Sequence, residues 1–421
     1  MSEFELRRRK LFDILPENSV SLLFSGVSKI RSEDDYYLFF ANRNFFYLTG
    51  IEQEHSALMF VKCPGEKKIY LFLDDHDEVK ERWTGKRLSF EEASEISSLT
   101  NVYSSSTFDS MLEMALAATD NAYGKIDKLL IDLSDEIKIS KNTSTQVYAN
   151  ELKEKYPSLE IQNIYPLIVD LRTVKSEYEI KELEEAINAT NTGINDLLAN
   201  YEVGMREHEL SDRFEYFGRT HDRRKLSFET IVAAGKDATI MHHPIAQQEG
   251  ILKDGDLILF DLGYRSNGYC ADISRTYPIN GKFSDLQRKV YEAVLNTNKA
   301  VIEYVKPGLT IADLQAFAIE NLKKESMRLG LIKSEEEIAK YYIHNVSHFL
   351  GLDTHDVGER SRPLKPGNVV TVEPGLYFPE LNIGVRIEDD VLVTETGSRN
   401  LSRGIKKEID DVERLLKNRK Y

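Results

Sequence analysis

The sequence predicts a two-domain protein of the α/β (α+β) class, with an amino-terminal α/β domain over residues 1–168 and a pseudo-two-fold domain over residues 169–421. Three observations predict it. Short apolar strands alternate with helical or polar segments through the first part, a new amphipathic pattern begins after residue 175, and the chain beyond that point repeats itself.

In the first part the runs SVSLLF, SALMFV, KIYLFL and KLLIDL read as strands. The aromatic segment RNFFYLTG, Arg43 to Gly50, reads as core packing. Arg7, Arg8, Arg9 and Lys10 form a basic run that reads as the solvated face of a first helix in preference to a nucleic-acid arm. Nothing in this part looks catalytic.

The boundary falls near residues 165–175, where YPLIVDLRTVKSEYEI leads into a helix. Ser176 and Glu179 make a capping box, and Ile180, Leu183, Ile187, Ile194 and Leu197 share one face. A second helix, over residues 284–305, opens with its own box at Ser284 and Gln287.

The repeat is the most informative pattern. GMREHEL (Gly204 to Leu210) resembles GLTIADL (Gly308 to Leu314), and KDGDLILFDLG (Lys253 to Gly263) aligns without gaps on KPGNVVTVEPG (Lys365 to Gly375). Asp261 and Glu373 therefore occupy equivalent places. Each is followed by a further acid on a strand: Asp272, past a turn at Arg265 to Gly268, and Glu388 within GVRIEDDVLV. A site built from them straddles the pseudo-dyad.

Composition narrows the classes. The 421 residues carry 41% hydrophobic and 30% charged side chains, which is ordinary globular usage. A net charge of -15 argues against sequence-independent nucleic-acid binding. No apolar run reaches the roughly 20 residues that span a bilayer, and MSEFELRRRK lacks the apolar core of a signal peptide, so a cytoplasmic protein with no membrane partner is expected. Cys63 and Cys270 are far apart and read as small buried residues, not as a disulfide or a zinc site.

Asp261, Asp272, Glu373 and Glu388 all lie in or beside strand-like segments, where an ionised carboxylate is costly unless paired. Taken singly, each reads as a structural ion pair. Brought together, four of them could not all stay ionised without cations. Five of the nine histidines (His242, His243, His344, His348, His355) fall in the same part and close to the strands that carry the acids, as His208 and His221 do not. Imidazole alongside several oxygens suits Mn²⁺, Fe²⁺, Co²⁺ or Zn²⁺ better than Ca²⁺ or Mg²⁺, and four carboxylates with one or two histidines hold two ions.

The order Asp261, Asp272, His348, Glu373, Glu388, in the contexts FDLG, ADISRTYP, HNVSHFLGLDTHD, TVEPGLY and GVRIEDD, resembles the pita-bread (creatinase/aminopeptidase-like) metallopeptidases, and among them the bacterial-type aminopeptidase P group. RRRKLF, RNFFYLTG and ERWTGKRL, around Trp83, resemble that group's amino-terminal domain, so the likeness covers nearly the whole chain. The related creatinases share the fold and lack the metal ligands, which are complete here.

The resemblance implies two divalent ions, Mn²⁺ first, with Co²⁺, Zn²⁺ and Fe²⁺ as alternatives. It implies that Asp261 chelates one ion, that His348 and Glu373 bind the other, and that Asp272 and Glu388 bridge them. A metal-bridging hydroxide then attacks the carbonyl of the bond before proline, with Glu373 as proton shuttle. His242 and His355 hold substrate and stabilise the developing charge, and His344, Tyr377 and Arg386 match further pocket positions. Two departures stand out: His344 is followed by Asn345 where the family has glycine, and IMHHP offers both His242 and His243, of which the context TIMH favours His242.

The implied activity is that of a metal-dependent Xaa-Pro aminopeptidase acting on proline-containing peptides. A prolidase, taking only Xaa-Pro dipeptides with the same metal centre, is the alternative, and it needs a positive group for the free carboxylate of proline. A silent binding module is a third reading, opposed by the complete ligand set. The resemblance also implies a homo-oligomer, dimer or tetramer, in which Trp83 either reaches a neighbouring site or packs within its own domain.

Overall fold

The computed structural model describes residues 1–117, 123–134 and 144–417. The chain divides into two units, Met1–Arg172 and Thr173–Tyr421.

Among its described residues the first unit carries a six-stranded mixed sheet, in the order Val102–Ser104, Glu66–Leu73, Ala57–Cys63, Ser19–Phe24, Lys128–Ile131, Glu160–Asn163. The four runs read from the sequence are the middle of it. Ser19–Phe24 pairs antiparallel with Ala57–Cys63 and parallel with Lys128–Ile131, so Leu22 faces both Met59 and Ile131. All three residues are buried, as befits a strand covered on both faces. RNFFYLTG is core, as expected. It forms the helix Arg43–Thr49, buries Phe45, Tyr47 and Leu48, and stops at Gly50, whose φ of 70° suits a residue without Cβ.

One expectation fails here. Arg7 and Arg8 are only 2% exposed, while Arg9 and Lys10 are solvated. The last carbonyls of a helix lack partners within it, and these guanidinium groups supply them. Arg8 donates to Leu48 O at 2.7 Å and to Ser97 O at 2.7 Å, so one side chain serves the ends of the helices Arg43–Thr49 and Phe90–Ser97. Arg7 donates to Tyr47 O at 3.0 Å and lies over the Tyr47 ring. Trp83 does not pack within its own unit: it is 87% exposed, on the helix Glu78–Thr84, which buries no residue.

The second unit follows the repeat. The helices Glu177–Asn200 and Glu207–Thr220 precede the strands of the first copy, and Asp285–Tyr304 and Ile311–Arg328 those of the second. Both expected capping boxes form, Ser176 with Glu179 and Ser284 with Gln287. Leu183, Ile187, Ile194 and Leu197 are buried as predicted, and Ile180 is half-buried at the edge of that face. Each copy then delivers an antiparallel strand pair: Leu257–Leu262 with Ile273–Pro278, and Val369–Val372 with Asp389–Val393. In the first pair the chain reverses through Asn267 and Gly268, both at positive φ (43° and 89°), the backbone a tight hairpin with matching twist requires. Gly263 closes the first strand because a Cβ there would lie 2.0 Å from Ala271 O. Cys63 and Cys270 are buried free thiols.

Candidate metal centre

The strand pairs place the four acids at corresponding positions. Asp261 lies within Leu257–Leu262 and Glu373 directly after Val369–Val372, while Asp272 directly precedes Ile273–Pro278 and Glu388 directly precedes Asp389–Val393. His348 arrives on the irregular segment after residue 341, tied to the second copy by its own N–H on Thr371 Oγ1 at 3.1 Å.

These five side chains converge. Donor atoms of Asp272, His348 and Glu388 lie within 4.8 Å of one another. His348 Nε2 stands 3.3 Å from Asp272 Oδ2 and 3.6 Å from Glu373 Oε1. Its Nδ1 donates to Phe349 O at 2.9 Å, which leaves the Nε2 lone pair facing the carboxylates, the tautomer a metal-binding imidazole needs. Arg386 Nη2 donates to Asp261 Oδ2 at 2.6 Å, and Asp261 Oδ1 is buried without a hydrogen-bond partner. Glu388 Oε2 accepts from Ser274 Oγ at 2.8 Å.

The electrostatics follow from burial. Desolvation, then the charges of Asp261, Asp390 and Glu373, push Asp272 well above the usual carboxylate range. Desolvation, then Asp272 and Glu373, does the same to Glu388. Burial raises Glu373 to about 7 against the pull of His348 and Arg386. Carboxylates that repel one another in a buried place, with one unpartnered oxygen among them, are short of positive charge. The donor set of four carboxylates and one imidazole fits two divalent metal ions.

The remaining expected residues line the surroundings. A cavity of about 200 Å³ is walled by the cluster together with His344, Arg360 and Arg386. A larger one, about 470 Å³, adjoins it through His242, Asp261, Asp272 and His355 and has apolar walls at Phe228, Ile231 and Ile245. His242 opens on both cavities. His243 lines only the larger cavity and is buried, with Nε2 3.0 Å from Glu207 Oε2. The His355 ring packs edge-on against His348 at 4.4 Å. His344 Nδ1 donates to Asn345 O at 2.8 Å and Nε2 accepts from Tyr377 Oη at 2.9 Å, while Tyr377 Oη accepts from Arg386 Nη1 at 3.2 Å. Burial, then Arg386, holds His344 down to about 4 and therefore neutral.

Glu207, Asp237 and His243 form a second group whose donor atoms lie within 4.8 Å of one another. Its central carboxylate is already satisfied, by Ala234 N–H at 2.6 Å, Gly250 N–H at 3.2 Å and His243. We read it as structural.

Sequence reasoning missed the polar residues that hold this cluster in place. Ser274 bonds both Glu388 and Arg386, Thr371 holds His348, and Asp390 accepts the N–H of Asp272 at 3.3 Å. Only Asp390 carried a signal, as one of three successive acids in IEDDV. Lys175 was missed too: it pairs with Asp356 at 2.9 Å, both side chains 1% exposed, and so anchors the segment that carries His355.

Residues 181–395 match the Metallopeptidase family M24, and residues 4–123 match the Aminopeptidase P, N-terminal domain. The chain is 35% identical to the Xaa-Pro aminopeptidase of Haemophilus influenzae, over 98% of this chain and 97% of that one. Among solved structures it superposes on a candidate aminopeptidase P from Bacillus anthracis with a TM-score of 0.94 at 39% identity, covering 99% and 98% of the two chains. On zinc-substituted E. coli aminopeptidase P in complex with product the TM-score is 0.89 at 30% identity, with both chains fully covered.

Proposed function

We propose an activity from the premise that this chain belongs to metallopeptidase family M24: it is a metal-dependent Xaa-Pro aminopeptidase, hydrolysing the bond between a first residue and a following proline. The observation that carries this reading is the convergence of four carboxylates, three of them buried and Glu373 half-buried, with one correctly oriented imidazole beside two connected cavities. In it Asp261 holds one ion, His348 and Glu373 hold the other, and Asp272 and Glu388 serve both. Mn²⁺ is the ion we favour, with Co²⁺, Zn²⁺ and Fe²⁺ as alternatives that the same donor set accepts.

When bound, a pair of divalent ions supplies a nucleophile from water at neutral pH and Lewis acidity toward the carbonyl oxygen. The protein's own groups do the rest. Glu373, on the wall of the smaller cavity with Oε1 3.6 Å from His348 Nε2, is the carboxylate placed to take up and return the proton. His242 and His355, both exposed to the cavities, offer N–H donors to the developing oxyanion. His344, Tyr377 and Arg386 form a hydrogen-bonded wall that fixes the substrate and, through Arg386, the position of Asp261. A bond before proline has no N–H and a fixed φ, so its recognition falls to shape and to the carbonyl.

A second reading, prolidase activity on Xaa-Pro dipeptides, is favoured by one observation. Arg360 is an exposed cation on the cavity wall near Glu373, placed to meet a free proline carboxylate. Hydrolysis of Ala-Pro-Ala and Ala-Pro by Mn²⁺-reconstituted protein separates the two. Cleavage of the tripeptide supports the aminopeptidase, and exclusive cleavage of the dipeptide replaces it with the prolidase.

The same proposal includes a division of labour between an amino-terminal domain, 1–168, and a catalytic domain, 169–421. It also includes a homo-oligomer, dimer or tetramer, supported by the exposure of Trp83, and work in the cytoplasm. No helix among the described residues is long and apolar enough to cross a membrane.

A further inference from the structure

The strands that carry Glu373 and Glu388 are paired on either side of these two residues and not at them. One ladder ends at Val372 opposite Asp389, and the next begins at Gly375 opposite Arg386. Glu373 and Glu388 therefore sit in the gap between two ladders, which one backbone bond crosses, Ile387 N–H to Pro374 O at 3.3 Å, while their own N–H groups bond away from each other, to Val346 O at 2.9 Å and Ser274 O at 3.0 Å.

Asn298, wholly buried on the helix Asp285–Tyr304, reaches that gap. Its Nδ2 donates to Val372 O at 3.0 Å and to Ile387 O at 3.2 Å. Each carbonyl belongs to the residue immediately before one of the two acids. A side-chain amide has two N–H donors, and here each strand receives one. The Oδ1 accepts from Lys407 Nζ at 2.6 Å, which fixes which way round the amide lies. Lys407 also binds Asp389, and Arg275 binds both Asp389, at 2.8 Å, and the carbonyl of Glu388. The peptide that carries Glu388 is thus held on both sides by buried donors.

We propose that Asn298 is a positioning residue for the metal centre: its amide ties the two segments together at the residue before each acid and presets the separation of Glu373 and Glu388. This rests on the metallopeptidase reading of the site. The amide touches neither substrate nor metal, and it acts through the backbone of the two ligand-bearing strands. Partners of this kind orient ligands before the ion arrives, and their loss weakens metal binding on the order of 10–100-fold.

The test titrates metal-free full-length protein with MnCl₂ by calorimetry, alongside metal-free melting followed by circular dichroism. In Asn298→Leu the dissociation constant is expected to rise on the order of 10–100-fold, with excess Mn²⁺ restoring activity. Thr297→Val, one residue away and bonded only within its own helix through Ala293 O, is the control, expected to bind Mn²⁺ like the parent. If Asn298→Leu does not fold, Asn298→Ser is read by the same measure. A merely structural Asn298 would lower the metal-free melting temperature and leave the dissociation constant unchanged, and that result overturns the inference alone. A parent chain that binds no Mn²⁺ overturns the metallopeptidase reading, and the inference falls with it.

Discussion

Arg386 donates from Nη2 to Asp261 Oδ2 across 2.6 Å, joining the strand that follows the second copy's acid to the strand of the first. The same guanidinium reaches Ser274 Oγ at 2.7 Å and Tyr377 Oη at 3.2 Å. Three partners in three directions use the planar fork of arginine, which the point charge of lysine cannot reproduce. Arg386→Lys should therefore lower kcat/KM by about 10–100-fold, the cost typical of a group that orients a ligand. A kcat/KM equal to the parent's on Ala-Pro-Ala would show that Asp261 needs no such support.

Glu373→Ala is expected to abolish turnover while leaving the fold intact. Loss of a positioned general acid–base alone is worth about 10²–10⁴-fold, and loss of a metal donor adds to it. Circular dichroism and peptide hydrolysis on one preparation check both halves, and near-normal activity sinks the assignment.

Metal-free protein should lose stability as pH rises. Asp272 and Glu388 titrate well above their ordinary values and Glu373 near 7, so between about pH 4 and those values the folded chain binds more protons than the unfolded one. With more protons on the folded side, unfolding free energy falls with pH across this window. Added Mn²⁺ should therefore raise the melting temperature more at pH 8 than at pH 5. Calorimetric scans at the two pH values decide it, and an equal shift at both refutes the linkage.

Lys175→Met removes one partner of the Asp356 carboxylate in a place where both side chains are 1% exposed. Removing one partner of a buried pair costs about 3–5 kcal/mol, which urea unfolding should register. Because Asp356 neighbours His355, peptide hydrolysis should fall as well. A change within about 0.5 kcal/mol, the range of ordinary surface substitutions, would mean that the pair is dispensable.

How much of this was legible depended on chemistry. The acids could be read because ionised groups in strand-like sequence are anomalous, and the ungapped match of Lys253–Gly263 on Lys365–Gly375 tied two of them together. The helices were legible from their caps and faces. Arg7 and Arg8 were not: a basic run carries no mark of the helix ends that fold onto it, and only the tertiary fold brings the carbonyls of Leu48 and Ser97 within reach. Ser274, Thr371 and Asn298 were invisible for the opposite reason, since neutral polar residues are ordinary anywhere in a sequence and gain meaning only from what they touch. The histidine pair was half legible. The sequence context favoured His242, which opens on both cavities, whereas His243 lines one of them and is buried against Glu207.

The order in which the two copies are synthesised has a consequence for when the protein can act. The first copy supplies Asp261 and Asp272 alone, whereas His348, Glu373 and Glu388 all lie in the second. On the reading proposed above, a chain still emerging from the ribosome carries only two of the five ligands until the second copy follows. The full donor set exists only once the hundred-odd residues between Asp272 and Glu388 have been made and folded back on what came before.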